Sequence, residues 1–314
     1  MTRARAAVAL LATAAFVLSG GGAGAQTGDP QSPDRGVSLD ARGDSPARRG
    51  ETVFAAGNCT SCHTDLKNKG ALLAGGRALE TPFGVFYGPN ITPDPVHGIG
   101  RWSDDDFIRA MRKGVSPQGE HYFPVFPYPA FTGMTDRDLR DLKAYIFTLS
   151  PVAQPNKPHQ VPFPFNLRLG ARVWKLLYFR EGPLIPDPTR DAQWNRGRYL
   201  VEAAGHCAEC HTQRDRLGGL DRARWMAGSA DGAEGKPAPN ITPEPKTGIG
   251  DWKTTDLVYF LETGTLPDGD VAGGLMGEVI RYGTGRLSAD DRKAMAAYLK
   301  SLKPVVNKIQ KAAK

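Results

Sequence analysis

The sequence predicts a mainly α-helical protein built from two similar halves, and three observations support this prediction. First, the pentapeptide Cys-x-x-Cys-His occurs at residues 59–63 and again at residues 207–211. Second, the segments around the two copies resemble each other at a nearly constant offset of about 150 residues. Third, apolar residues three or four positions apart indicate amphipathic helices, whereas 37 glycines and 25 prolines indicate long loops between them.

Each Cys-x-x-Cys-His motif is suited to covalent attachment of haem. The two cysteines can form thioethers to the haem vinyl groups, and the histidine that follows them can bind the iron. A single copy could also be a thioredoxin-like redox pair or half of a zinc site. The chain has four cysteines, and all of them belong to the two motifs. We therefore predict two bound haems, with Cys59, Cys62, Cys207 and Cys210 as attachment residues and His63 and His211 as iron ligands.

The sixth iron ligand decides whether a haem carries electrons or binds a substrate. In the second half, Met276 lies in a glycine-rich loop before the last helix, and we predict it as the ligand. In the first half we predict Met134, at the edge of the last helix. Met111 is expected on a helical face and is better explained as a core residue. His121 is the rival ligand, and an open sixth position is the other alternative.

Short helices should deliver the chain to each motif, at residues 49–57 and 196–205. A further helix should follow in the first half, because Ser103 and Asp106 form a capping-box pattern. Gly114 is a plausible end for this helix.

The last helix of the first half should begin at Thr135, because acidic residues follow it directly and favour a helix N-terminus. Residues 135–149 place their apolar side chains on one face, and residues 288–302 are the counterpart in the second half. We expect the apolar face to pack on the helix that precedes the motif and on the haem edge.

Each half also contains the sequence Pro-Asn-Ile-Thr-Pro followed by a tryptophan. Asn90 and Trp102 in the first half correspond to Asn240 and Trp252 in the second. Two interpretations stay open: these residues line the haem and bind its propionates, or they fix a turn and fill the core.

The N-terminal residues 1–25 have the features of a secretory signal. A basic start containing Arg3 and Arg5 precedes an apolar stretch, and an Ala-Gly-Ala cleavage site follows at residues 23–25. An uncleaved membrane anchor is the alternative, although the apolar stretch is short for a membrane span. Export to the periplasm agrees with haem attachment, which takes place outside the cytoplasm. Residues 26–46 are polar and are predicted to be a disordered lead-in.

Two haem domains are predicted, at residues 47–150 and 191–305, with a polar tail at 306–314. Residues 151–190 should join the domains as a strap, first extended and proline-rich, then aromatic and basic at 166–180. The alternative for 166–180 is a helix that docks on a membrane surface or on a partner protein. The net charge is +7. The sequence has no Lys/Arg cluster with interleaved aromatic residues that would suggest nucleic-acid binding, so we interpret the charged residues as solvent-exposed surface.

The chain resembles the diheme c-type cytochromes related to the cytochrome subunits of membrane-bound alcohol, gluconate and fructose dehydrogenases. The resemblance covers about residues 46–305 and rests on a small set of sequence features. They are both haem motifs, both Asn-Ile-Thr-Pro turns, the aromatic run 122–128, Met134-Thr135-Asp136, and residues 205–212. It implies two tandem class I cytochrome c domains, each a small helical bundle around one haem. Those subunits typically have three haems and a C-terminal membrane anchor, whereas this sequence shows two motifs and a polar end.

These features lead us to expect a periplasmic electron carrier without catalytic residues of its own. It would accept electrons from a dehydrogenase and pass them to a cytochrome, an oxidase or quinone. A peroxidase or a thiosulfate-oxidising enzyme with a catalytic first haem is the first rival. A fixed subunit of a larger dehydrogenase, docked through residues 166–180, is the second, and membrane association would then come through the partner.

Overall fold

The computed structural model describes residues 45–309. The predicted signal sequence at 1–25, nearly all of the predicted lead-in and residues 310–314 of the predicted tail lie outside the described residues. The described part is mainly helical, as predicted. Among residues 45–309 there is no helix that is long and apolar enough to cross a membrane.

The first half contains five helices and a β-hairpin within its described residues. The elements in chain order are α1 (Pro46–Ala56), α2 (Cys59–His63), β1 (Ala78–Thr81), β2 (Gly84–Tyr87), α3 (Asp104–Lys113), α4 (Tyr128–Phe131) and α5 (Asp136–Ile146). A single 3₁₀ turn, Leu66–Asn68, follows α2.

The joining segment carries one helix, α6 (Arg168–Tyr178). The helices after it are α7 (Ala192–Arg198), α8 (Ala208–His211), α9 (Thr254–Thr263), α10 (Gly274–Tyr282) and α11 (Ala289–Lys300). α7 continues without a break into a wider π-helical segment, Tyr199–Ala204, that leads to the second motif. Short 3₁₀ turns lie at Arg222–Arg224, Ala233–Gly235 and Thr284–Arg286.

Three of the helix ends predicted from the sequence are confirmed, whereas the last helices of the two halves end earlier than predicted, at Ile146 and Lys300. Ser103 caps α3: its hydroxyl accepts a hydrogen bond from the Asp106 N–H at 3.1 Å, and the Asp106 carboxylate accepts one from the Ser103 N–H at 3.1 Å. Gly114 ends α3 with left-handed backbone angles (φ 57°). The Thr135 hydroxyl accepts from the Asp138 N–H at 3.1 Å and thereby starts α5.

The helix before each motif packs closely on the last helix of the same half. α1 crosses α5 at Gly50, where a Cβ would lie 1.8 Å from the carbonyl oxygen of Asp141. α7 crosses α11 at Gly197, where a Cβ would lie 1.9 Å from the carbonyl oxygen of Ala294. Since no side chain fits at these distances, both crossings depend on glycine.

An arginine next to each of these glycines holds the crossing. Arg49 makes a bidentate ion pair with Asp141, at 2.7 and 2.8 Å. Arg196 pairs with Asp291 at 2.7 Å. All four side chains are largely buried. The geometry of the Arg49 pair is of the strong, planar type that fixes orientation as well as distance.

The hairpin of β1 and β2 was not predicted. Its two strands pair antiparallel, with Leu79 opposite Phe86. Val85 on β2 also exchanges two backbone hydrogen bonds with Gln160 of the joining segment, at 2.9 and 2.8 Å. The proline-rich residues 151–164 therefore run along the surface of the first half before the chain reaches α6.

One face of α6 is attached to both halves. The buried Lys175 ammonium donates to the carbonyl oxygens of Lys113 (2.5 Å) and Gly114 (2.8 Å), which lie at the C-terminal end of α3. Trp174 donates through Nε1 to the Leu217 carbonyl at 3.0 Å, in the second half. α6 is thus fixed to the body of the protein by side chains on a single face.

Candidate haem-binding sites

The two Cys-x-x-Cys-His motifs have the same local conformation. In the first, Asn58 has left-handed backbone angles (φ 47°) and is followed by the short helix α2, which holds both cysteines and the histidine. In the second, His206 has the left-handed angles (φ 40°) and α8 follows. Because three residues are close to one helical turn, the two cysteines of a motif lie on the same side of the chain.

Each motif histidine is oriented by a backbone carbonyl. His63 Nδ1 lies 2.8 Å from the carbonyl oxygen of Pro89, and His211 Nδ1 lies 2.8 Å from that of Pro239. A carbonyl can only accept, so Nδ1 carries the proton and Nε2 is left with a free lone pair. Burial lowers the pKa of both imidazoles and keeps them neutral. A neutral imidazole with a fixed tautomer and a free Nε2 is what an iron ligand requires.

The Asn-Ile-Thr-Pro turns hold these carbonyls in place. In the first turn the Asn90 side-chain oxygen accepts from the Thr92 N–H (2.9 Å) and hydroxyl (2.7 Å). The Asn90 amide donates to the carbonyls of Val152 (2.8 Å) and Gln154 (3.0 Å). The whole hydrogen-bonding capacity of the amide group is used within the protein. Of the two roles considered for this asparagine, the structure shows the one that fixes the turn.

The second turn repeats this arrangement. Asn240 accepts from the Thr242 N–H (2.9 Å) and hydroxyl (2.7 Å) and donates to the Val305 carbonyl (2.8 Å). Trp102 and Trp252 are half-buried and pack against the hydrophobic core. The sequence indicated that these residues could fix a turn. It did not indicate that the proline carbonyls of the turns orient the motif histidines, because a hydrogen bond between residues 26 or 28 positions apart leaves no local signal.

The cysteines lie in surroundings that disfavour thiolates. Burial raises the pKa of Cys59 to about 12, that of Cys62 to about 11 and that of Cys207 to about 12, and it also raises that of Cys210. A thioredoxin-like redox pair requires a thiolate, so these surroundings do not suit one. In addition, residues 45–309 contain no group of three or more His, Cys, Asp or Glu side chains that could hold a metal ion. All four thiols are free, and this donor set fits thioether attachment of haem.

The candidate sixth ligands lie in different surroundings. Met134 is completely buried and immediately precedes Thr135, the capping residue of α5. Met111 is buried on α3, in the core, as expected for a packing residue. Met276 was expected in a loop, but the structure places it in the first turn of α10, where it is half-buried. Gly273 occupies the N-cap position of this helix, and the apolar residues Met276, Val279 and Ile280 follow with helical spacing.

His121 is directed toward α6. Its Nδ1 lies 3.0 Å from the Lys175 ammonium, and Arg168 donates to its backbone carbonyl at 3.0 Å. Burial, followed by the charges of Lys175 and Arg172, holds the pKa of His121 below its ordinary value. One ring nitrogen of this rival ligand is therefore engaged by α6.

The segments that lead into the two motifs touch each other. His206 Nε2 lies 3.3 Å from the carbonyl oxygen of Gly57. A Cβ at Gly205 would lie 3.7 Å from the carbonyl oxygen of Ala56, and a Cβ at Gly57 would lie 3.8 Å from that of Ala204. The two candidate attachment sites are consequently neighbours in space, although about 150 residues separate them in sequence.

A charged cluster lies beside both motifs and was not found from the sequence. The Arg77 guanidinium, which is largely buried, pairs with Glu234 at 2.9 Å and with Glu278 at 3.2 Å. Burial is the main cause of the raised pKa of Cys62; the Cys210 thiol raises it further, and the Arg77 charge opposes the rise. Arg77 therefore connects the first half to the second at the place where the two motifs approach each other.

Comparisons with known proteins agree with this chemistry. The cytochrome c family model matches residues 47–150. A diheme cytochrome c-type protein of Cereibacter sphaeroides is 43% identical over 299 residues, which are 93% of this chain and 97% of that protein. The fructose dehydrogenase cytochrome subunit of Gluconobacter japonicus is 40% identical over 256 residues, 81% of this chain and 52% of the subunit.

A further relative is the cytochrome c subunit of an alcohol dehydrogenase (quinone) from Gluconacetobacter polyoxogenes. It is 37% identical over 304 residues, which are 93% of this chain and 61% of the subunit. The chain thus spans about half to three fifths of the two dehydrogenase subunits but nearly the whole of the diheme protein. The resemblance predicted from the motifs is confirmed: the chain belongs to the cytochrome c family, which binds c-type haem covalently, and its relatives include a diheme cytochrome c and cytochrome subunits of dehydrogenases.

Proposed function

We propose that the protein is a periplasmic diheme cytochrome c that carries electrons from a dehydrogenase to a downstream cytochrome, an oxidase or quinone. The observation that carries this proposal is the repeated site geometry. Both motifs have a left-handed residue, a short helix and a histidine whose Nδ1 donates to a proline carbonyl at 2.8 Å, and their lead-in segments touch. Two such sites side by side favour electron transfer between them.

One haem would be held in each half, within residues 47–150 and 191–305. The attachment residues are Cys59 and Cys62 in the first half, and Cys207 and Cys210 in the second. When bound, each haem supplies a one-electron iron centre. The protein's residues fix its orientation, exclude water and set the potential through the iron ligands and the surrounding charges.

Each half contributes the same parts to this task. The proline carbonyl keeps the histidine in one tautomer with Nε2 directed away from the backbone. Met134 and Met276 are the proposed sixth ligands; a thioether favours the reduced iron and raises the potential. With both irons fully ligated, no substrate chemistry is expected.

The names of the relatives support a dehydrogenase as the electron donor. Two of them are cytochrome subunits of dehydrogenases that oxidise fructose or an alcohol. The secretory features of residues 1–25 support the periplasm as the location. The acceptor is proposed only as a class, namely a second cytochrome, an oxidase or the quinone pool.

The test uses the exported protein and two double variants, Cys59→Ala/Cys62→Ala and Cys207→Ala/Cys210→Ala. We expect two haems in the wild type and one in each variant, counted by protein mass and by the haem absorption after denaturation. A redox titration should show two one-electron steps in the wild type, and one in each variant that folds. The wild type should not react with peroxide. A haem content of one, or rapid turnover of peroxide, would reject the proposal.

A further inference from the structure

The face of α6 that points away from the protein is apolar. Its side chains are strongly exposed: Leu169 (68%), Val173 (50%), Leu176 (82%) and Leu177 (64%). Spacings of four, three and one residues place these four on one side of the helix, opposite Ala171 and Lys175, which are buried. We call them the α6 apolar face. Within residues 45–309 each of them stays half or more exposed.

The apolar surface extends beyond the helix. Phe163, Phe165 and Leu167, in the segment just before α6, are exposed by 77%, 49% and 49%. Scattered exposed apolar residues are ordinary on a protein surface. Seven exposed large apolar side chains within fifteen consecutive positions are a local concentration, and we call them the apolar patch; exposed apolar patches mark interaction surfaces.

The charged residues within the segment that carries this patch are all basic. Arg168, Arg172 and Arg180 border it, and residues 163–180 contain no Asp or Glu. Arg168 has a carboxylate at 3.6 Å, that of Glu120. Among the described residues, neither Arg172 nor Arg180 has a salt-bridge partner. Glu120 and Glu181 lie at the edges of this segment and pair with Arg168 and Lys113. The charges of Arg172 and Arg180 therefore stay available for a negatively charged surface.

The helix is held firmly from behind. Lys175 donates to two carbonyls at the end of α3, Trp174 donates to the Leu217 carbonyl, and the Tyr178 hydroxyl donates to Asp215 at 2.8 Å. Insertion of the exposed side chains into a second phase would not require α6 to unfold or to detach from the body. The cost of ordering the helix is already met by these contacts.

We propose that the α6 apolar face, with its arginine border, docks the protein on the surface of an anionic phospholipid bilayer. The aliphatic side chains would enter the boundary between headgroups and acyl chains, and Arg172 and Arg180 would lie at the phosphate level. Amphipathic helices with basic borders bind membranes in this way. A bilayer is favoured over a protein partner because one surface offers acyl chains to the exposed aliphatic side chains and phosphates to the arginines.

This proposal goes beyond the electron-carrier function and does not depend on it. A membrane-bound carrier would find its partners by diffusion in two dimensions. Its haem sites would also have a fixed side toward the bilayer.

The experiment is co-sedimentation of the haem-loaded, signal-processed protein with vesicles. One set of vesicles contains equal parts of phosphatidylglycerol and phosphatidylcholine, and the other contains phosphatidylcholine alone. The variant is Leu176→Glu/Leu177→Glu. Val96→Glu is the matched control, because Val96 is 69% exposed and lies in a loop outside α6. All three proteins should have the same haem spectrum and melting temperature.

We expect the wild type and the control to sediment with the anionic vesicles and to release at high salt. The double variant should bind at least about tenfold more weakly, since two buried aliphatic side chains are lost. Arg172→Gln should weaken binding to anionic vesicles and leave binding to neutral ones unchanged.

Three results would overturn the proposal. The wild type could fail to bind anionic vesicles, or the double variant could bind as well as the control. The wild type could also form a dimer that the double variant does not form, in which case the face is an interface between two copies. The wild type could also fail to bind vesicles while the double variant is reduced more slowly by a purified dehydrogenase. In that case the face binds a protein partner.

Discussion

Tyr199 donates a hydrogen bond from its hydroxyl to the carboxylate of Asp138 at 2.6 Å, and both side chains are fully buried. The hydroxyl also accepts from the Thr135 N–H at 3.1 Å. Tyr199 begins the π-helical segment that leads to the second motif, whereas Asp138 lies in the first turn of α5. One phenol therefore joins the helix that leads into the second candidate haem site to the last helix of the first half.

Tyr199→Phe tests this connection. The change leaves the ring in place and removes a hydrogen bond to a buried carboxylate, so it should lower the free energy of unfolding by about 1 to 3 kcal/mol. Denaturant unfolding measures the loss. Tyr259→Phe is the control, because Tyr259 is 54% exposed and should be neutral. If the two variants are equally stable, the hydrogen bond of Tyr199 contributes little to the free energy of unfolding.

The same contact makes stability depend on alkaline pH. Burial, followed by the charge of Asp138, raises the pKa of Tyr199 well above its ordinary value near 10. Above about pH 10 the unfolded chain releases this proton and the folded chain keeps it, so stability falls as the pH rises. Unfolding measured between pH 8 and 11 should show a shallower decline for Tyr199→Phe than for the wild type. Parallel curves would contradict the assignment.

The crossing of α1 and α5 gives a steric prediction. Gly50→Ala would place a Cβ 1.8 Å from the Asp141 carbonyl oxygen, and the helices would have to separate. We expect a loss of about 1 to 3 kcal/mol, the usual cost of overpacking, seen as a lower melting temperature. Gly170→Ala on α6 is the matched control, because nothing lies within 4 Å of its Cβ. There the change should be stabilising, by up to about 1 kcal/mol, and a loss at Gly170 as large as at Gly50 would refute the steric explanation.

Features that depend on neighbouring residues were predictable from the sequence, whereas features that depend on residues far apart in the chain were not. The ends of α3 at Ser103 and Gly114 follow from side chains that act on their own helix, and the sequence predicted both. The hairpin at 78–87 escaped prediction, because its strands have four residues each and its outer partner is Gln160, far along the chain. The loop expected around Met276 is a helix, since the apolar spacing of Met276, Val279 and Ile280 outweighs the glycines that precede it.

For the candidate sites the same limit applies. The motif identifies His63 and His211 from five adjacent residues, whereas the carbonyls that orient them belong to turns farther along the chain. The repetition of the Asn-Ile-Thr-Pro turn was the available signal, and its position after each motif hinted at a shared role. The pairing of Arg77 with Glu234 and Glu278 had no signal, because it joins residues more than 150 positions apart.

Arg77→Gln should lower the reduction potential of the neighbouring haem iron. The change removes a positive charge near Cys62 and leaves the carboxylates of Glu234 and Glu278, so the oxidised iron is stabilised. A shift of tens of millivolts is expected for one charge at an effective dielectric constant of about 20. A redox titration measures it, and Arg216→Gln, at an exposed position, serves as the control. An unchanged potential would mean that the cluster acts only on the packing of the two halves.

The sixth ligands are tested with Met134→Ala and Met276→Ala in the haem-loaded protein. If each methionine binds one iron, near-infrared magnetic circular dichroism should show two His/Met haems in the wild type and one in each variant. Met111→Ala is the control for loss of a buried methionine, and it should lose stability but keep both sulfur-to-iron signals. A high-spin or bis-histidine haem in the wild type would show that one of the two methionines is not an iron ligand. If the haem without His/Met ligation is the one in the first half, His121→Ala would decide whether the imidazole next to Lys175 binds its iron. The Lys175 ammonium can only donate, so His121 Nδ1 accepts and Nε2 carries the proton, which leaves no free lone pair for iron. We therefore expect His121→Ala to leave both spectra unchanged.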